Sequence, residues 1–127
     1  MRFRGDAMLG RSALLVVTLL PGPALAEGFE PVQSEGQFLE LIGDRVLRIG
    51  LYDLSLRVLS DGRIDGSAMG WAITGNWTWQ DGYFCRSMDW SGTVIDHNCQ
   101  LVEARGSDAM RFTVDQGSGE SATFRLR

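Results

Sequence analysis

The 127-residue chain contains no lysine; its twelve basic residues are all arginine. That absence excludes a Schiff-base lysine and a phosphate loop ending in Gly-Lys. Histidine occurs once, at His97, so no metal site can be built on two imidazoles. Excess positive charge is missing too: the formal net charge is −4, which argues against wrapping DNA or RNA, whose affinity comes from clustered cations on phosphates. There is no G-x-S-x-G serine motif, and Gly117-Ser118-Gly119 is not followed by a helical pattern, so it reads as a hairpin loop rather than a phosphate cradle. What remains is ordinary: 44% hydrophobic and 22% charged residues, the balance of one globular domain without repeats or low-complexity stretches.

Residues 1–26 read as a secretory signal. Arg2, Arg4 and Arg11 form the positive region, Ser12 to Leu20 the apolar core, and Ala24-Leu25-Ala26 the cleavage site before Glu27. The apolar run is too short to span a bilayer, and no cysteine follows it to carry a lipid. The expectation is a periplasmic product, cleaved after Ala26, whose single domain is residues 27–127.

In that domain Ser34 and Gln37 have capping-box spacing, and Phe38, Leu39, Leu41 and Ile42 form an apolar stripe that stops at Gly43, predicting one short helix over 35–42. From Arg45 onward the pattern changes to alternating runs between glycine-containing turns, the signature of antiparallel strands. Tyr52, Leu54, Leu56 and Val58 alternate with polar residues in one such strand, Asp61-Gly62 turns it into 64–69, and Ile73 to Gln80 follows. Asp81-Gly82 as a two-residue turn pairs Trp79 with Phe84, Thr78 with Cys85 and Trp77 with Arg86. Trp77, Trp79, Phe84, Arg86 and Met88 then share one face. Centring the next turn near Gly92 sets Cys85 opposite Cys99. Strands over 100–104, 109–115 and 123–126, with Phe112 facing Val102 and Leu126, extend the apolar layer. A meander this long can bury one face only by curling on itself, so the fold class is mainly β: a small antiparallel barrel or half-barrel of about seven or eight strands, with the helix as a lid.

Two cysteines across a hairpin in an exported protein read as a structural disulfide, stabilising by about 3 kcal/mol. Their rivals are a redox pair, for which the spacing is long, and a metal site of Cys85, His97 and Cys99 with Asp96. The favoured reading has no metal and no cofactor. Arg86 shares the tryptophan face, where its guanidinium presents donors to a carboxylate or phosphate of a ligand, pairs with an internal acid such as Asp65, or snorkels to the barrel end. Trp77 and Trp79 read first as core, while Trp71 and Trp90 sit by turns; with Arg86 these four form the candidate ligand-binding set.

The run Thr74-Gly75-Asn76-Trp77-Thr78-Trp79-Gln80-Asp81-Gly82-Tyr83-Phe84-Cys85-Arg86, followed by Asn98-Cys99-Gln100, resembles a group of small exported bacterial proteins of unassigned function. Some of them carry the label dihydrodipicolinate reductase by transfer. That reductase needs a nucleotide-binding βαβ unit opened by G-x-G-x-x-G, and this chain has neither. The leading expectation is a non-enzymatic binding module for a small ligand or an envelope protein. One alternative is a protease inhibitor using Glu27 to Gln33 as an extended arm. Another is an enzyme using carboxylates such as Asp53, Asp65 or Asp89.

Overall fold

A computed structural model describes residues 28–127. The segment read as an export signal lies outside the described residues, as does its cleavage site.

Helix α1 (Glu35–Ile42) forms where the capping pattern predicts it. Ser34 Oγ accepts the Gln37 amide at 3.1 Å, while the Gln37 side chain reaches back one residue further than in a capping box, to the Gln33 amide at 3.0 Å. At the other end Gly43, with positive φ, donates its N–H to Leu39 O and stops the helix. Phe38 and Ile42 are its buried residues.

The described residues form nine strands: β1 (Phe29–Pro31), β2 (Leu47–Ile49), β3 (Leu54–Val58), β4 (Arg63–Ala68), β5 (Trp71–Gln80), β6 (Tyr83–Trp90), β7 (Thr93–Arg105), β8 (Ala109–Thr113) and β9 (Ser121–Leu126). From β2 to β9 each strand pairs antiparallel with its sequence neighbour, and β2 pairs with β9, so eight strands close into a barrel. Strand β1 lies outside the closed ring, against residues 103–105 of β7 where β6 has ended. Closure removes the free edges that an open meander would expose.

Inward glycines let the strands coil tightly enough to close. A Cβ at Gly66 would lie 2.0 Å from Ser55 O, and one at Gly75 would lie 2.4 Å from Ser87 O, so neighbouring backbones occupy the space a side chain would need.

The Asp81-Gly82 turn has positive φ at both residues, and the register across it is the expected one, from Gln80–Tyr83 to Trp77–Arg86. Four local expectations are corrected. Tyr52 is not in a strand: Gly50–Tyr52 forms a 3₁₀ turn ended by Asp53 in the left-handed region, which leaves Tyr52 exposed. Asp61-Gly62 is not a two-residue turn, because Leu59 pairs with Arg63 and only Gly62 has positive φ. Phe112 faces Ala122, not Leu126, since the 114–120 connection is long and lets Leu126 pair with Leu47 at the closure. The β6–β7 turn is Ser91-Gly92, which alone would set Cys85 across from Asn98; a bulge that opposes Asp96 and His97 to Ser87 restores the Cys85–Cys99 pair.

Alternate turns place 50–53, 69–70, 91–92 and 114–120 at one end of the barrel, and 59–62, 81–82 and 106–108 at the other. Phe38 packs at 5.4, 5.3 and 5.2 Å from the rings of Trp77, Trp79 and Phe84, so α1 plugs the latter end. The other end carries the 3₁₀ turns Gly50–Tyr52 and Asp115–Gly117 and, among the described residues, no α-helix.

Candidate functional site

The alternation of β6 sends Phe84, Arg86 and Met88 inward and Cys85 outward. Arg86 is therefore a guanidinium inside a barrel, with only 9% of its surface exposed. Among the described residues one of its five N–H donors has an acceptor: Nη1 donates to the Asp96 carbonyl at 2.7 Å. That carbonyl belongs to the bulge, so the irregularity that aligns the cysteines also supplies the arginine's acceptor. Among the described residues no carboxylate lies within ion-pair distance of Arg86. Burial pushes its pKa down from the ordinary arginine value, because the charged form loses hydration without gaining a counter-ion.

Beside Arg86 is a cavity of about 290 Å³, near the lower limit for small-molecule pockets. Its walls are mainly apolar, with Leu47, Leu56, Ile64, Phe84, Phe112 and Phe124 among them. Gln100 is the second buried polar residue there, and its carboxamide makes no hydrogen bond to another described residue. Sequence reading missed Gln100, although it lies two residues before the inward Val102 and so on the same face. Glu120 is the single carboxylate in the lining, exposed and out of ion-pair range of Arg86. The cavity thus offers an apolar body and a cation with spare donors, a combination suited to one negative group on an otherwise apolar molecule.

The other candidates stand elsewhere. Trp77 is core, with Nε1 donating to Leu59 O at 2.8 Å, and Trp79 packs on Phe38. Trp90 donates to Ala68 O at 3.1 Å near the open end, and Trp71 is 64% exposed beside the Met69-Gly70 turn. None of the four indoles lines the cavity with Arg86. Asp65 is not the partner of Arg86: it faces outward and pairs with Arg57 at 3.3 Å, one residue out of phase with the inward Ile64. Asp53 pairs with Arg48 at 3.3 Å, and Asp89 accepts the Gly92 amide at 2.9 Å. Asp65 and Asp89 flank Thr74 on the outer surface, away from the cavity. Within the segment considered as an inhibitory arm, Phe29–Pro31 pairs with β7 and the Val32 amide donates to Val102 O at 2.8 Å.

Cys85 and Cys99 are joined in a disulfide, their Cα atoms 3.9 Å apart. While the sulfurs are bonded to each other they are not thiolates and cannot ligate a metal. Among the described residues no helix is long and apolar enough to cross a membrane.

Comparison with family models, with curated proteins and with solved structures returns no match.

Proposed function

We propose that the protein is an exported binding barrel that takes a small amphiphile with one anionic head, such as a medium-chain carboxylate, into its cavity. The observation that carries the reading is Arg86: a buried guanidinium with no carboxylate partner among the described residues, beside apolar walls and the Gln100 amide, which has no partner among them either. A buried charge is costly unless paired, and a ligand carboxylate would supply the missing partner. The disulfide fits an oxidising compartment, and the signal-like segment 1–26 supports export to the periplasm with cleavage before Glu27.

Calorimetric titration with a medium-chain fatty acid and with the alcohol of the same length tests the reading. The acid is expected to bind roughly tenfold or more tightly than the alcohol, the scale of one charge-assisted hydrogen bond, and Arg86→Met is expected to erase the difference. Equal binding of acid and alcohol by the unaltered protein, or no binding of either, would overturn it. N-terminal sequencing of protein recovered from the periplasm checks the export step, for which a start at Glu27 is expected.

A further inference from the structure

On the outer face of the β6–β7 hairpin, across the sheet from the cavity, the disulfide lies beside the chain's one imidazole. His97 Nε2 is 3.9 Å from Cys99 Sγ, and one donor atom from each of Cys85, His97 and Cys99 lies within 4.8 Å of the other two. The bulge makes this cluster, since it sets His97 on the same side as Cys99 and opposite Ser87. Ser87 Oγ is 3.3 Å from His97 Nδ1, so the ring's second nitrogen is held while the first faces the sulfurs. A histidine that ligates a metal is commonly oriented in this way by a partner on its other nitrogen. Neither the cavity nor the disulfide requires that arrangement.

We propose that Cys85, Cys99 and His97 become, once the disulfide is reduced, a site for a soft d¹⁰ cation, with Cu(I) the best fit. Two thiolates are soft donors and an imidazole suits copper, and among the described residues no fourth His, Cys or carboxylate joins the group. Structural zinc takes four protein ligands, whereas Cu(I) is content with three. Two equivalents of a thiol, or one phosphine with one water, supply two electrons: the S–S bond breaks, two S–H bonds form with protons from the thiols or the water, and the reductant leaves as its disulfide or as the phosphine oxide that carries the water oxygen. Cu(I) then forms two Cu–S bonds and one Cu–N bond, its oxidation state is unchanged, and the two thiol protons pass to solvent. His97 is exposed and Cys99 half-buried, so the cation approaches from that side and reaches the buried Cys85 last. Oxidation closes the site by returning both sulfurs to each other.

The test is titration of the full chain with Cu(I), without oxygen, against a coloured Cu(I) chelator, after reduction by a phosphine that brings no competing thiolate. The reduced protein is expected to take up one Cu(I) with thiolate-to-copper charge-transfer absorption and unchanged far-ultraviolet circular dichroism; the oxidised protein is expected to take up none. His97→Ala, at an exposed position, is expected to weaken binding by about tenfold or more, and Ser87→Ala by less, as loss of a ligand exceeds loss of its orienting partner. Uptake equal in the oxidised protein, an affinity unchanged in His97→Ala, or reduced protein that binds only after losing its fold would each overturn the proposal.

Discussion

Arg86 and Gly75 show how much one side chain, or the lack of one, decides here. An uncompensated buried cation opposes folding, so Arg86→Met is expected to leave the protein as stable as before or more stable, by up to about 4 kcal/mol, as when other buried ions are replaced by apolar groups. Urea unfolding measures this, and a large loss would mean that Arg86 holds the barrel together rather than awaiting a ligand. The sign of its pH effect follows from the lowered pKa: burial disfavours the charged form in the folded state, so the penalty is present below the folded-state pKa and is relieved as pH rises through it. Gly75→Ala has the opposite character. Its Cβ would collide with the Ser87 carbonyl, which is backbone and cannot swing away, so a loss of about 1–3 kcal/mol is expected in the same measurement.

At the level of the element, α1 is short, and its hold on the barrel is concentrated in Phe38. That ring is fully buried and meets Trp77, Trp79, Phe84 and Phe112 at centroid distances of 5.2 to 6.4 Å. Phe38→Ala is expected to cost about 3–5 kcal/mol, which in a domain this small approaches the whole stability. A fall in denaturation midpoint smaller than that of an exposed substitution would show that the helix is not the plug. The β6–β7 hairpin depends on its cross-link as well. Its closed loop spans a sequence separation of 14, and Cys85→Ala with Cys99→Ala is expected to remove about 3 kcal/mol. The helix and the Asp81-Gly82 register were legible in the sequence, because capping chemistry and two-residue turns are decided by residues close in the chain. The bulge was not: nothing in Asp96-His97-Asn98 distinguishes one extra residue from a longer turn until Arg86 and the disulfide are both in place. The cysteine pair was reached from sequence by centring the turn on Gly92, and the structure arrives at the same pair by a tighter turn plus one inserted residue.

The molecule as a whole has one weak joint. Strands β2 and β9, which close the barrel, share two register pairs, Leu47–Leu126 and Arg48–Arg125, whereas β5 and β6 share eight. Both closing strands also contribute to the cavity wall, through Leu47 and Phe124. Opening is therefore expected first at this seam. In hydrogen exchange, amides of residues 47–49 and 121–126 are expected to exchange by a smaller opening than those of β5 and β6, and a bound carboxylate is expected to slow them selectively. Uniform protection around the barrel would remove the seam as a route for ligand.

By itself the sequence determined the alternation of inward and outward residues, the helix and one turn register. All are consequences of a two-residue or 3.6-residue period and of turn chemistry that acts over a few positions. Only the tertiary structure decided that the sheet closes through β2 and β9, that Arg86 has no carboxylate partner among the described residues and sits beside a cavity the tryptophans do not line, and that Asp65 points the other way. Closure and cavity depend on which distant strands meet, and that is settled by the summed coiling of eight strands rather than by any local run of residues.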